Sequence, residues 1–327
     1  MRNCGVRGLL GAGVLGLLGW ALTASAMAAD AFPSRPVTMV VTTGPGSGSD
    51  VLGRLVANYL GPALGQSIVV ENRAGGGGLI GHQSVMRAAP DGYTVLFTST
   101  AGLLVVPIIN PAAKYALADF TPVASIMRAP FAVLVANTPG APKTIAELTT
   151  VLRAKPQSFG SSGVGAMTHL GSELLLRRVG VQAVHVPYKG SGQVFNDLLG
   201  GQILFATDSL TAAMPLLKGG KLRALAVAGA NRLPSLPDVP AFAEVGLPNL
   251  DVAVIGGLFA PKGTPREPVD RIAAATAKVL QVAEVRQRFA SVETDVLQVS
   301  TDAFVNLLRQ EATVWEPLVR QLDIKVE

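Results

Sequence analysis

The chain has 327 residues, of which 49% are hydrophobic and 15% are charged, and it carries a formal net charge of +5. This length favours two domains, which can bury enough apolar surface to fold without disulfides. The small positive excess, with no cluster of Lys and Arg residues, argues against a nucleic-acid-binding protein, and the single cysteine, Cys4, excludes a disulfide within the chain.

The first residues follow the charged, apolar and small-residue order that is typical of a secretory signal peptide. Arg2 and Arg7 precede an apolar run over residues 8–22, which is shorter than the roughly 20 residues of a spanning helix. We expect residues 1–28 to be removed by cleavage after Ala28, with cleavage after Ala26 as the alternative. Cys4 precedes the apolar run, so a lipid anchor is not expected and the prediction is an exported protein.

Short apolar strands then alternate with amphipathic helices, which predicts an α/β protein with mostly parallel sheets. The predicted strands are Val37–Thr42, Ser67–Glu71, Tyr93–Thr98, Phe131–Ala136, Ala183–Val186, Ile203–Ala206, Leu222–Val227 and Val252–Ala260. The predicted helices are Asp50–Leu64, Ile145–Ala154, one that begins at Met167, Gln193–Leu199, Pro268–Val282 and Thr301–Leu322. Asp50 is expected to cap its helix by accepting N–H groups of the first turn.

The order of these elements predicts two lobes, because the last helices follow a second extended crossing near residue 252. The first lobe is expected over residues 29–129 and 250–327, and the second over residues 130–249. Two lobes on extended hinges, with a cleft between the lobes, are the layout of a receptor that closes on its ligand.

Two segments rich in Gly and Ser each lead from a predicted strand into a predicted helix. Glycine lets a ligand approach the backbone, and a helix start has unpaired N–H groups and a partial positive charge. Two such starts facing each other would bind an anion, in particular a carboxylate, without a catalytic side chain. The candidate ligand-binding residues are Thr43, Gly44, Gly46, Ser47, Gly48 and Ser49 in the first segment, and Ser161, Ser162, Gly163, Val164, Gly165 and Ala166 in the second.

Five further residues are candidates for ligand contact: Ser99 and Thr100 after a predicted strand, His169, Tyr188 and Asp208. Asp208 either caps the helix that follows it or meets an amine or hydroxyl of the ligand, and capping is slightly favoured. His169 lies in the first turn of the second loop's helix, where packing or hydrogen bonding in support of the loop is its more frequent role.

Residues 76–81 match the pattern G-x-G-x-x-G, but we do not expect a dinucleotide site. Four residues separate the pattern from the preceding strand, and no acidic residue lies about 20 positions further on. His82, His169 and His185 lack the spacing of metal ligands. The segment around Ser162 has no nucleophile elbow, so neither a cofactor, a metal nor a catalytic residue is expected.

A series of short motifs resembles the solute-binding receptors of tripartite tricarboxylate transporters, known as Bug-type receptors. The motifs cover essentially the whole chain after residue 28 and occur in the family's order: Pro33-Ser34-Arg35-Pro36, Glu71-Asn72-Arg73-Ala74-Gly75-Gly76-Gly77-Gly78, Pro90-Asp91-Gly92-Tyr93-Thr94, Asp119-Phe120-Thr121-Pro122-Val123, His185-Val186-Pro187-Tyr188-Lys189-Gly190, Asp197-Leu198-Leu199-Gly200-Gly201-Gln202, Leu236-Pro237-Asp238-Val239-Pro240 and Gly257-Leu258-Phe259-Ala260-Pro261.

The resemblance implies a two-lobed periplasmic binding protein of type II, which captures a small carboxylate and delivers it to a membrane transporter. In the family, the two glycine-rich loops hold the ligand carboxylate, largely through backbone amides and water. This sequence departs from the family pattern at Thr43, Gly44, Ser47, Val164 and Ala166, and it has Thr207-Asp208 where Phe-Asp is usual. The non-carboxylate part of the ligand is therefore not predicted.

The leading prediction is a monomeric periplasmic receptor for a mono- or dicarboxylic acid that works with membrane transporter subunits. The alternative is a sensing receptor that docks on a membrane sensor, since both roles use the same fold. An enzyme is the third reading, because the sequence presents no pairing of a nucleophile with a base.

Overall fold

The computed structural model describes residues 32–247 and 253–322, and the predicted signal peptide lies outside the described residues. Within them the chain forms ten strands: β1 Val37–Val41, β2 Ile68–Asn72, β3 Thr94–Ser99, β4 Phe120–Ala136, β5 Ser158–Ser161, β6 Val184–Pro187, β7 Phe205–Ser209, β8 Leu222–Val227, β9 Ala253–Pro261 and β10 Asp295–Val296.

The helices between these strands are α1 Gly48–Leu64, α2 Leu79–Met86, α3 Thr100–Leu104, α4 Val106–Ile109, α5 Ile145–Ala154, α6 Met167–Val179, α7 Ser191–Leu199, α8 Leu210–Lys218, α9 Arg266–Val279, α10 Ala283–Ser291 and α11 Thr301–Leu322. None of the helices in the described ranges is both long and apolar enough to cross a membrane.

The strands form one path in the order β2-β1-β3-β9-β4-β7-β5-β6, and β8 and β10 each pair with β4. β1 is parallel to β2 and β3, and β5 is parallel to β6 and β7. Met39 lies opposite both Val70 and Val95. It is fully buried, as expected for a parallel strand with both faces covered.

Antiparallel pairs are added by β4 and β9, so the sheet is mixed rather than parallel throughout. β4 pairs with β9 from Phe120 to Pro130, and from Phe131 onward it pairs with β7 and β8. The sequence pattern predicted only the second half of this strand, from Phe131, because Pro122 and Pro130 interrupt the apolar run in the first half.

Apolar residues collect in separate clusters on either side of this change of partners. One cluster includes Met39, Leu52 and Phe97 together with residues of α9. Another includes Phe131, Phe159 and Phe205 and also takes in Trp315 and Val319 from the end of α11. The last helix therefore packs against both parts of the sheet, since Phe304 and Leu308 belong to a cluster with Val40 and Leu96.

The predicted helices Ile145–Ala154 and Thr301–Leu322 and the strand Leu222–Val227 are observed with those bounds, and Met167 begins α6 as expected. Three helix starts were placed too late, α9 among them at Pro268 rather than Arg266, and the other two lie in segments of small residues. α1 begins at Gly48 rather than Asp50, and α7 begins at Ser191 rather than Gln193. In both cases the small residues Gly and Ser form the first turn, a position that a search for apolar periodicity overlooks.

Candidate functional site

The first glycine-rich loop leaves the end of β1 and becomes the first turn of α1. Ser47 is the N-cap, and its hydroxyl accepts the N–H of Asp50 at 3.2 Å. The expectation that Asp50 caps this helix is wrong, because Asp50 already lies inside it. Its carboxylate instead accepts the N–H of Gly46, in the loop before the cap, at 3.0 Å.

The side chain of Asp50 supports the loop on the side away from the cavity, through a partly buried network. Its Oδ1 atom accepts hydrogen bonds from Arg54 Nε at 2.9 Å and from Asn72 Nδ2 at 2.8 Å. Asn72 Nδ2 also donates to the carbonyl of Thr43 at 2.9 Å. The motif that begins at Glu71 thus fixes the position of a loop almost 30 residues earlier in the chain.

The second glycine-rich loop joins β5 to α6 and is braced by side chains of the helix's first turn. Thr168 Oγ1 accepts the N–H of Ser162 at 2.9 Å. His169 Nδ1 accepts the N–H of Gly165 at 3.1 Å, so the proton of the neutral ring is on Nε2. Ser161 is fully buried beneath the loop, and its hydroxyl donates to the carbonyl of Gly163 at 3.1 Å.

His169 and His185 stack with ring centroids 3.8 Å apart. Burial lowers the pKa of His169 to about 3, with a smaller contribution from the charge of His185, and burial lowers the pKa of His185 to about 4. Both rings are therefore neutral at physiological pH. His185 Nε2 lies 2.6 Å from Ser161 Oγ. The Ser161 hydroxyl also lies 3.1 Å from the Gly163 carbonyl, so its single proton has two acceptors within reach and the tautomer of His185 decides which group donates.

The two halves of the molecule touch where the first loop meets the start of α7. The N–H of Gly44 donates to the carbonyl of Lys189 at 2.8 Å. A Cβ atom at position 44 would lie 2.8 Å from that same carbonyl oxygen, so the backbones approach this closely only with glycine. A second contact joins the hydroxyls of Thr211 and Thr294 at 2.6 Å.

A small cavity of about 50 Å³ lies between the two glycine-rich loops. A water needs roughly 10–15 Å³ of such space, so the cavity suits a molecule of a few heavy atoms. Eight of the predicted ligand-binding residues line it: Thr43, Ser47, Gly48, Ser49, Ser99, Ser162, Ala166 and Asp208.

Nine predicted residues do not line this cavity: Gly44, Gly46, Thr100, Ser161, Gly163, Val164, Gly165, His169 and Tyr188. Gly163, Val164 and Tyr188 border a separate surface groove of about 540 Å³. Tyr188 donates there to Asp197 at 2.6 Å. Gly46, Ser161, Gly165 and His169 make the internal hydrogen bonds described above and shape the loops from behind.

The starts of four helices converge on the cavity, whereas the sequence pattern predicted two. Gly48 belongs to α1, Met167 and Thr168 to α6, Ser191 to α7 and Thr211 to α8. Each helix start contributes unpaired N–H groups and about half a positive charge. Among the described residues of the wall, none is Lys, Arg or His, so the positive potential comes from the backbone.

Asp208 is the one charged side chain among the described residues of the wall. The structure does not support the favoured interpretation that Asp208 caps α8, because Ser209 is the N-cap residue and Asp208 Oδ1 accepts the N–H of Ser209 itself at 2.7 Å. The Oδ2 atom is buried and has no hydrogen-bond partner. Burial raises the pKa of Asp208 to about 6, and hydrogen bonds from Ser191 and Ser209 offset part of that shift.

Sequence reasoning missed twelve residues of the wall. They are Thr42, Gly77, Gly102, Met127, Ala129, Phe131, Met167, Thr168, Ser191, Ser209, Thr211 and Val254. Ser191 and Thr211 carry the same signal as the glycine-rich loops, a small polar residue at a helix start, but without a run of glycines. Gly77 belongs to the G-x-G-x-x-G pattern, for which we did not expect a dinucleotide site. The loop that contains Gly77 is a third loop that borders the cavity.

His82 connects this third loop to the wall through a chain of buried hydrogen bonds. Its Nδ1 donates to the carbonyl of Gly78 at 2.6 Å, and its Nε2 accepts from the Thr98 hydroxyl at 3.0 Å. The Thr98 oxygen in turn lies 3.0 Å from the hydroxyl of Thr42, a residue of the wall. Burial lowers the pKa of His82 to about 4.

No group of three or more His, Cys, Asp or Glu residues within 32–247 and 253–322 is arranged to hold a metal ion. The elements that reach the cavity provide backbone N–H groups, hydroxyls and one carboxylate, together with the apolar side chains of Met127, Phe131 and Val254. This set of groups can bind a small anion that has an apolar part.

Comparison with known proteins gives a family and a fold. The model of the tripartite tricarboxylate transporter family receptor matches residues 52–324. The structure of the periplasmic binding protein BugD superposes with a TM-score of 0.86 at 31% identity, covering 90% of this chain and all of that one. This superposition confirms the predicted two-lobed α/β fold.

Two further solved structures contain ligands. The MatC protein of Rhodopseudomonas palustris, with bound malate, has a TM-score of 0.84 at 32% identity and covers 88% of this chain and all of its own. A second protein from R. palustris, with adipate, has a TM-score of 0.85 at 32% identity and covers 90% of this chain and 99% of its own. The matching family is one of receptors, and the structural neighbour BugD is a periplasmic binding protein.

Replacing His82 with Phe should lower stability at pH 7 and flatten its dependence on pH. The variant leaves the Gly78 carbonyl and the Thr98 hydroxyl without their partner, at a cost of about 1–3 kcal/mol. In the wild type, the unfolded chain takes up a proton on His82 near pH 6.5, whereas the folded chain does so only near pH 4. The free energy of unfolding therefore falls as the pH drops between these values, and His82→Phe removes that contribution.

Urea unfolding at pH 7 and pH 5 measures both effects. Thr98→Val is the matched control, since it breaks the same chain of hydrogen bonds but keeps the titrating ring. It should lose stability at pH 7 and retain the wild-type loss between pH 7 and pH 5. An equal loss over that interval in His82→Phe and the wild type would contradict the assignment.

Proposed function

Because the chain belongs to the family of tripartite tricarboxylate transporter receptors, as its motifs indicated, we propose that it is a periplasmic solute-binding receptor. It captures a small mono- or dicarboxylic acid between two lobes and delivers the acid to a membrane transporter of the tripartite tricarboxylate type. The observation that carries this proposal is the convergence of four helix starts on one small cavity whose described wall residues include no cationic side chain.

The chemistry of the cavity supports a carboxylate. Backbone N–H groups at helix starts are donors aimed at an anion, and the associated partial charges attract it. The hydroxyls of Ser47, Ser49 and Ser162 add neutral donors, and Met127 and Phe131 offer an apolar surface to the carbon skeleton. The malate and adipate in the two structural neighbours are dicarboxylic acids, the class of anion that this proposal assigns to the cavity.

We propose that one lobe comprises residues 29–129 and 250–327 and that the other comprises residues 130–249. The change of β4 from pairing with β9 to pairing with β7 and β8 occurs between Pro130 and Phe131, which supports a hinge there. The loops on either side meet at Gly44 and Lys189. Gly48 of α1 lies against Ser209 and Thr211 of the other proposed lobe.

The same geometry supports binding without catalysis. The nearest arrangement of a hydroxyl and an imidazole, Ser161 with His185, is buried behind the loop and lies outside the cavity. We propose that the protein acts as a monomeric receptor and leaves its ligand chemically unchanged.

A screen of organic acids tests the proposal. The full chain is expressed, and the protein recovered from the periplasmic fraction is mixed with aliphatic, aromatic and amino acid carboxylates. At least one acid should raise the melting temperature and bind with micromolar or better affinity by calorimetry. Ligand at 100 times its dissociation constant adds about 2–3 kcal/mol to the free energy of unfolding. An absence of binding across all three classes would contradict the proposal.

Replacing Gly48 with Ala should weaken ligand binding about tenfold, because a Cβ at this position would push the two sides of the cavity apart. The added Cβ would lie 2.7 Å from Ser209 Oγ and 3.2 Å from Thr211 Cβ, so the two sides of the cavity would have to separate by a few tenths of an ångström. Alanine is otherwise at least as favourable as glycine in a helix.

Calorimetric titration with the tightest acid from the screen measures this effect. Gly200→Ala, at the end of α7 and outside the cavity wall, is the matched control and should bind as the wild type does. Equal dissociation constants for Gly48→Ala and the wild type would show that the sides of the cavity do not close on the ligand at this point.

A further inference from the structure

The buried carboxylate of Asp208 carries an energetic cost that the contacts around it do not explain. Its side chain is 2% exposed, and only one of its two carboxylate oxygens is satisfied. Oδ1 is held by the N–H of Ser209 at 2.7 Å and by the Ser209 hydroxyl at 3.4 Å. A buried acceptor without a donor destabilises the folded state, so the free oxygen is expected to have a partner when the site is occupied.

The Ser191 hydroxyl also acts on the Asp208 carboxylate and lowers its pKa, yet Oδ2 has no hydrogen-bond partner among the described residues, so a partner for Oδ2 comes from the ligand or from water. Asp208 lines the cavity, and Oδ1 is fixed on the Ser209 side, so Oδ2 is the oxygen that is left to meet a bound molecule. Carboxylic acids without another polar substituent offer no hydrogen-bond donor at neutral pH, because both oxygens of the ionised carboxylate are acceptors. A ligand that satisfies Oδ2 therefore carries a donor besides its carboxylate.

The electrostatic potential of the cavity favours one of the two common donors, a hydroxyl, over the other, an ammonium group. Four helix starts supply about half a positive charge each, which the carboxylate of Asp208 and one ligand carboxylate would largely neutralise. An ammonium group would add a positive charge among the positive ends of helices. A hydroxyl donates to Oδ2 without adding charge.

We propose that Asp208 is a specificity-determining residue, and that the ligand is a hydroxycarboxylate whose hydroxyl donates a hydrogen bond to Asp208 Oδ2. The inference rests on the proposed function, since it assumes that the cavity holds a carboxylate at the helix starts. It assigns the second contact of the same ligand, at the end of β7.

Matched sets of acids that differ at one substituent test this inference. The sets are lactate, propionate and alanine; malate, succinate and aspartate; and mandelate, phenylacetate and phenylglycine. Titrations are made at pH 8, where Asp208 is ionised because its pKa is about 6. In the set that contains the tightest ligand, the hydroxy acid should bind about tenfold or more tightly than the acid that lacks the hydroxyl, and more tightly than the amino acid.

Asp208→Asn separates this contact from a structural role of the side chain. The N–H of Ser209 needs an acceptor, so the amide oxygen of Asn faces Ser209 and the amide nitrogen takes the place of Oδ2. An acceptor is thereby exchanged for a donor. The preference for the hydroxy acid over the acid without the hydroxyl should fall to about threefold or less, while loss of the Asp208 charge shifts the affinity for both acids in the same direction. Asp197→Asn, the same exchange outside the cavity, should keep the wild-type preference.

The outcomes distinguish the two proposals. Failure of every acid to bind overturns the carboxylate receptor and this inference with it. Binding of acids with no preference for the hydroxyl in the wild type, or with a preference for the ammonium group, overturns the inference alone and leaves the receptor standing. A preference that survives in a folded Asp208→Asn variant also overturns it, and the wild-type comparison decides the matter if that variant does not fold.

Discussion

The unpaired N–H groups at helix starts are the constraint on which this structure depends. Parallel strands end at the same edge of a sheet, so the helices that follow β1, β5, β6 and β7 begin at that edge in each half of the molecule. The first turn of a helix cannot satisfy its own donors. Placing four such turns around one cavity gathers backbone donors there, and none of the described wall residues is a cationic side chain.

The strands that connect the two halves also form part of the cavity. Met127, Ala129 and Phe131 belong to β4, and Val254 belongs to β9, and all four line the wall. The same stretch of β4 exchanges one set of partners for another at Phe131. A ligand in the cavity would therefore contact the connecting strands as well as the loops, which links its binding to the relative position of the two halves.

The sequence was informative wherever function depends on local pattern. The two glycine-rich loops, the strand Leu222–Val227 and the helix Thr301–Leu322 follow from residue type and spacing over a short window, and the motif series identified the family. The buried roles of Asp50 and His82 were not predictable in this way. Asp50 meets Asn72, and His82 meets Thr98, only after segments distant in the chain have packed together.

The loop residues at which we expected this chain to depart from its family's usual pattern fall into two groups in the structure. Thr43, Ser47 and Ala166 line the cavity, whereas Gly44 and Val164 lie outside it. Gly44 is instead the point where the loop touches Lys189, so its departure affects the contact between the halves. Ser47 already accepts the N–H of Asp50 and lies within hydrogen-bonding distance of Thr43, so its hydroxyl is partly committed to the protein.

Substitutions in the first glycine-rich loop thus act on two different properties, the chemistry of the cavity wall and the distance between the two halves of the molecule. Asp208 lies outside that loop, and it adds to the wall the acceptor that the helix starts cannot provide.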